Sequence, residues 1–333
     1  MFKKMRKYLK FLYHLKEGQK SSNSNKKEYY GMEQNIIHKK IELNLENVKK
    51  LLGNSDDIII RHFSFGVKQQ TDAFVCFIDG MADKEFINEY VIKPLLVNIH
   101  IIHQNVKQVE SRDVLTSIKK YVYSTVEMKE GTTFDEVLDG VLSGNSVLFI
   151  DGYDTVLIIS AKGVQTRNIE EPNTEVVVRG SREGFTETLR VNTTLLRRII
   201  KNPKLTFESL VLGKQTHTDV CIAYIDGIAD EKIIKEVKSR LKRIDTDSIL
   251  ESGYIEQFID DNPFSPFSTI RNSERPDKVA AKLLEGRVAI LCNGTPFVLT
   301  VPHLFIETLQ VPEDYYARPY LGSFLRLLRL LAF

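Results

Sequence analysis

The feature that most constrains this chain is that it states one pattern twice. TDAFVCFIDGMADKEFINE (71–89) and TDVCIAYIDGIADEKIIKE (218–236) align without a gap and agree at nine of nineteen positions. A second pair, FDEVLDGVLSGNSVLFIDGYDTVLI (134–158) and PDKVAAKLLEGRVAILCNGTPFVLT (276–300), stands at a similar offset. At 333 residues the chain exceeds one ordinary core and fits two domains. Two duplicated lobes therefore follow, each reading strand, Asp-Gly turn, helix, variable region, helix, Gly, strand, tight turn, strand.

The local signals agree with that order. AFVCFI and VCIAYI are short apolar β-rich runs ended by Asp-Gly. Phe86, Ile87, Tyr90 and Val91, and again Ile233, Ile234, Val237 and Leu241, then recur at helical spacing. DIIIRHFSFG (57–66) and KLTFESLVLG (204–213) read as the preceding strands. Val137, Leu138, Val141 and Leu142 form a helix face stopped by Gly144, and its counterpart opens on Pro276 and stops at Gly286. Asp151-Gly152 and Asn293-Gly294 carry the signature of two-residue hairpins. Asp79-Gly80 and Asp226-Gly227 are structural turns whose glycines suit a positive φ, and Asp83 and Asp230 suit helix N-caps.

The fold class implied is α/β: two tandem duplicated α/β subdomains, each a small mixed sheet flanked by helices. The spacing places them at 46–165 and 203–310. A basic segment (1–45) precedes them, a charged linker and connecting helix (166–202) joins them, and a tail (311–333) follows. In the connecting helix Leu195, Leu196, Ile199 and Ile200 are apolar, while Arg190, Arg197, Arg198 and Lys201 are cationic.

Charge is unevenly placed. Nine Lys/Arg against Glu17 give residues 1–27 a charge of +8, so with +2 overall the remainder carries −6. Met5, Leu9, Leu12 and Tyr13 share a helical face there, which suits an anionic membrane leaflet; a plain solvated tail explains the charge equally well. Nucleic acid is the weaker partner, because the lobes lack aromatic stacking platforms with basic neighbours. Cys76, Cys221 and Cys292 lie in apolar runs and make no CxxC, which points to reduced, buried thiols in the cytosol. No cleavable signal and no run of about 18 apolar residues is present.

The chemistry-bearing motifs are few. Asp79 with Asp83, or Asp226 with Asp230, could hold Mg²⁺, but each pair lacks a second strand-end carboxylate, and turns and caps already account for all four. The seven histidines form no HExxH or Cys/His set, with His100 and His103 read as surface or core detail. No phosphate loop and no nucleophile elbow occurs. The expectation is therefore no enzyme, no metal and no cofactor. RGSREGFTE (179–187) is the most pointed stretch: Arg179, Gly180, Arg182, Glu183, Gly184 and Glu187 suit an anion nest or a contact between lobes or subunits. The alternative is a solvated linker whose Thr186 caps the next helix.

Four segments in fixed order carry a resemblance: EPNTEVVVRGSREGFTETLRVNTTLLRRIIKN, TDVCIAYIDGIADEKIIKEVKSRL, NPFSPFSTIRNSERPDKVAAKLLEGRVAILCNGTPFVLTVPHLF and PEDYYARPYLGSFLRLLR. From about residue 50 onward the chain resembles the A subunit of GerA-type spore germinant receptors. The resemblance implies a cytosolic region of two α/β subdomains ahead of a membrane-spanning part, at the spore inner membrane. It implies B and C subunits as partners, oligomers of A subunits, and nutrient sensing in germination, with no catalytic residues to carry over. The RGSREGF segment is carried across as a contact motif. A small-molecule site between the lobes is the alternative function. The chain stops at Phe333, where the family enters its membrane region, as a cytosolic fragment or a truncated product would; the apolar FLRLLRLLAF is then the approach to a span.

Overall fold

The fold repeats strand by strand. In the first lobe, strands β1 (Ile58–Phe65), β2 (Thr71–Ile78), β3 (Met128–Gly131), β4 (Ser146–Ile150) and β5 (Val156–Ile159) form one sheet in the order β1-β2-β4-β5-β3. In the second, β6 (Leu205–Leu212), β7 (Thr218–Ile225), β8 (Arg271–Ser273), β9 (Val288–Cys292) and β10 (Val298–Val301) give β6-β7-β9-β10-β8, the same topology. The computed structural model describes residues 35–66, 71–96, 127–163, 175, 181–261, 265, 268–308 and 319–332. Ile36–Phe333 forms one compact unit, so the two lobes belong together.

Helices cover both faces of each sheet. Helix α1 (Ile41–Leu52) and α3 (Phe134–Leu142) serve one face of the first sheet, while α2 (Lys84–Ile87), continued by a π-helical turn at Asn88–Ile92, serves the other. In the second lobe α4 (Leu189–Ile199) and α7 (Pro276–Leu284) lie on one face, with α5 (Glu231–Arg243) and α6 (Ser252–Ile259) on the other. Two C-terminal helices follow, the short α8 (Phe305–Thr308) and the longer α9 (Pro319–Ala332).

This layering explains why β2 and β7 read as unbroken apolar runs. Val75 and Phe77 face Ile87 and Val91, whereas Phe74 points the opposite way and stacks on Phe149 at 4.4 Å. In β7, Val220, Ile222 and Tyr224 join the α5 side, and Cys221, Ala223 and Ile225 join the α4 side. Each fully buried side chain of this kind contributes about 1.5–3 kcal/mol by leaving water.

Three sequence expectations change. The sheets are not mixed: every pairing among the described strands is antiparallel. One crossover helix between β2 and β4 would impose parallel pairing, but α2, β3 and α3 all intervene, and the chain re-enters in the opposite sense. The short edge strands β3 and β8 are additions that a pattern search over long apolar runs passes by.

The third change concerns the hairpins, which have five residues between the named strands rather than two. Gly152 and Gly294 take φ of +87° and +92°, but the preceding Asx side chain is used elsewhere. Asp151 Oδ1 accepts from the Ile41 amide at 3.0 Å, and Asn293 Oδ1 from the Leu189 amide at 3.1 Å. Each hairpin thus caps the helix that opens its own lobe, satisfying an orphan N–H that no local residue reaches. Asn44 and Asn192 complete the device: each side chain exchanges two hydrogen bonds with the backbone six residues upstream, at His38 and Thr186.

Candidate functional site: the seam between the lobes

Helix α4 has two jobs, and its sequence shows why. Leu195 and Leu196 face the second lobe's core, beside Phe207 and Leu283. Arg190, Thr194 and Arg197 reach the first lobe. Arg197 is wholly buried, and its Nε and Nη2 donate to Asp57 Oδ2 and Oδ1 at 2.9 and 2.8 Å, a two-pronged pair with an equally buried carboxylate. Two further guanidinium hydrogens go to Ser55 Oγ at 3.2 Å and the Asn202 carbonyl at 3.2 Å, and the group lies over the Phe207 ring at 5.1 Å.

The backbone joins the same seam. The Asp56 amide donates to the Phe207 carbonyl at 2.9 Å, the Phe207 amide to Ser55 Oγ at 2.9 Å, and the Ser209 amide to Asp56 Oδ2 at 2.6 Å. The edge of β6 is therefore closed by the loop that leads into β1. Above it sits the Asp79-Gly80 turn. Asp79 is held by Lys84 at 2.7 Å and Arg190 at 3.3 Å, and a Cβ at Gly80, where φ is +84°, would collide with Thr194 Oγ1. A groove of about 500 Å³ opens here, with Lys84, Arg190 and Arg198 beside Asp79, Asp83 and Glu85.

The equivalent turn of the second lobe is bare. Asp226, Gly227 and Ile228 are exposed, and among the described residues only Lys204 Nζ comes within 4 Å of a Cβ at Gly227, at 3.7 Å. Asp83 and Asp230 both cap, accepting from the amides of Glu85 and Phe86 and of Lys232. At Asp79, Asp83 and Asp230 cations or helix amides already hold carboxylate oxygens. Among the described residues no group of three His, Cys, Asp or Glu side chains converges as metal ligands.

Of the charged stretch, Arg179 and Gly180 lie outside the described residues, as do the basic segment 1–34, His100 and His103. Glu183 pairs with Arg198 at 3.3 Å, Arg182 is exposed, Gly184 is buried and the Glu187 carbonyl accepts from the Gly294 amide at 2.7 Å. Phe185 anchors the segment in the second lobe's core, its amide donating to Glu274 O at 2.8 Å. Thr186 Oγ1 accepts from the Thr188 amide, while Asn293 reaches the first amide of α4. The residues that join the lobes, Ser55, Asp57 and Arg197, were not singled out by motif. A signal existed: Thr193, Leu196, Arg197 and Ile200 follow helical spacing, so Arg197 shares the buried stripe.

Two further sets of ionisable groups are buried or paired. Burial pushes the thiols of Cys76 and Cys292 up to about 12 and raises that of Cys221 as well, which makes them poor nucleophiles. His303 and Glu307 meet at 3.1 Å, with Lys282 and Arg287 on the same carboxylate.

Comparison with known proteins identifies the setting. The family profile described as "Bacillus/Clostridium GerA spore germination protein" matches residues 46–333. This chain belongs to the GerA family. It is 42% identical over 298 residues to "Spore germination protein KA" of Bacillus subtilis, covering 90% of this chain and 53% of that protein. To "Spore germination protein B1" of the same organism it is 41% identical, covering 88% and 59%. The chain thus spans a little over half the length of these relatives. A crystal structure of the N-terminal domain of the A subunit of the Bacillus megaterium spore germinant receptor GerK3 matches with a TM-score of 0.63 at 38% identity, covering 81% of this chain and 97% of that one. The paired five-stranded sheets are therefore the fold of a GerA-family N-terminal domain. No helix among the described residues is long and apolar enough to cross a membrane.

Proposed function

We propose that this chain is the cytosol-facing N-terminal region of a germinant-receptor A subunit, acting in nutrient-triggered germination at the spore inner membrane. The observation that carries the reading is the likeness to the GerK3 A-subunit domain, which extends over 97% of that domain at 38% identity. The region works as a binding and signalling module rather than a catalyst. Its partners are B and C subunits, further A subunits and the membrane, reached through residues beyond the lobes and the basic N-terminal segment. Arg179, Gly180, Arg182, Glu183, Gly184 and Glu187 are proposed as a subunit contact, and the lobes as the spans 46–165 and 203–310.

Deleting the gene in its spore-forming host and restoring it tests the reading. Deletion should abolish the loss of spore optical density in response to at least one nutrient, and Arg182 substitutions in the restored gene should weaken it. An unchanged response to every nutrient after deletion overturns the proposal. Liposome co-sedimentation, with and without residues 1–27, checks the membrane contact, which should be salt-sensitive on anionic lipid.

The groove favours a second reading. A 500 Å³ opening lined by Lys84, Arg190 and Arg198 together with Asp79, Asp83 and Glu85 suits a small polar molecule that carries both donor and acceptor groups. A ligand that prefers the folded state raises the melting temperature, so a flat thermal-shift screen of nutrients and nucleotides at saturating concentration would sink this reading.

A further inference from the structure

The seam is heterologous: the first lobe presents one surface to a different surface of the second. Because the lobes are duplicates, each surface has a counterpart at the far end of the tandem. The correspondence is fixed by matching hydrogen bonds. The Asp79 amide donates to the Asp57 carbonyl and the Asp226 amide to the Lys204 carbonyl, while the Ile58 amide donates to Ser55 and the Leu205 amide to Asn202. Lys204 thus stands where Asp57 does, and Pro203 where Asp56 does. The shared Asx caps on Ile41 and Leu189 likewise put Glu42 in the place of Arg190, Glu46 in that of Thr194, and Lys49 in that of Arg197.

In a repeat structure such complementary ends dock on the next copy and the array propagates. Here they would meet badly. In the pose of the seam, Glu42 of one copy would face Asp226 of the next, and Lys49 would face Lys204. Both are like-charge contacts where the seam has Arg190 on Asp79 and Arg197 on Asp57. Pro203 has no N–H to repeat the bond that Asp56 gives to Phe207. All four side chains are exposed, so this is a surface property and not a packing requirement of either lobe.

We infer that the seam forms once per chain and that the ends of the tandem reject a second copy in that pose. Copies of this chain that associate do so through another face. This inference stands on the two lobes alone and holds whichever function is correct.

The test uses two exposed substitutions, Glu42→Arg and Lys204→Asp, which give the outer ends the charge pattern of the seam. Sedimentation velocity of the full chain over a concentration series, at low salt, compares the wild type, this double variant and the double variant with Asp226→Lys added. The double variant should gain association beyond any that the wild type shows, and the third substitution should remove that gain. If the double variant sediments as the wild type does, the charges are not what rejects the second copy. Wild-type association that a bulky change at the exposed Asp226 (Asp226→Trp, run as a fourth sample) abolishes with the melting temperature unchanged would show the seam surface already in use between copies, and would overturn the inference outright.

Discussion

Asp57→Ala is the most informative single change. The substitution leaves the Arg197 guanidinium in a site with no solvent access, keeping only the Ser55 hydroxyl and the Asn202 carbonyl of its four hydrogen bonds. Removing one partner of a buried pair costs about 3–5 kcal/mol, because the surviving charge is desolvated without compensation. With an unfolding entropy of about 2.1 cal/mol/K per residue over roughly 300 residues, each kcal/mol shifts Tm by about 1.6 °C, so the fall in Tm is roughly 5–8 °C. Asp57→Leu with Arg197→Met removes both charges and should recover most of the loss, giving a strong favourable coupling in the double-mutant cycle. The exposed pair Glu231–Lys235 is the control, worth about 0.3–0.5 kcal/mol. Urea unfolding followed by circular dichroism measures all of these. A cost below about 1 kcal/mol for Asp57→Ala would mean that water reaches the seam, and the account of a dry interlobe contact would be wrong.

Three other outcomes follow from the same geometry. Gly286 has φ of +86°, and a Cβ there would lie 2.9 Å from the Ile228 carbonyl oxygen, so Gly286→Ala should destabilise by more than about 1 kcal/mol in chemical unfolding. Asn192→Ala removes a buried side chain bonded to Thr186 on both sides and should cost about 1–3 kcal/mol, raising amide exchange at the start of α4. Burial depresses the pKa of His303 below its usual 6.5, with Arg271 and Lys282 pushing the same way against Glu307. The unfolded chain therefore takes up the proton first as pH falls, and stability drops as the pH goes from about 7 to below 6. His303→Gln should flatten that slope in thermal melts, and Glu307, also held low, adds its own loss only below about 4.5.

The duplication was plain in the sequence because turn and cap chemistry is local. Asp-Gly followed by Asp at a helix start specifies a positive φ and an N-cap wherever it occurs, and Gly144 and Gly286 mark helix ends in the same way. The hairpin misreading is the reverse case: Asp151 and Asn293 look like turn residues, yet their carboxamide or carboxylate oxygens serve helices more than 100 positions away. No window of sequence contains both halves of that bond.

The seam was hidden for a deeper reason. An arginine among arginines on an amphipathic helix reads as solvated, and the burial of Arg197 becomes intelligible only when a carboxylate from the other lobe arrives at 2.8 Å. Duplication itself offered the missing clue. Where two copies of one unit touch through different sides and the array is to stop at two, the outward counterparts of the contact residues have to differ from the inward ones. The positions at which matching hydrogen bonds hold while charge reverses, Asp57 against Lys204 and Arg190 against Glu42, are thus the ones that distinguish an inward end from an outward end. These charge differences become readable once the hydrogen bonds fix which positions correspond, which the shared Asp-Gly letters alone do not do for Asp57 or Arg197.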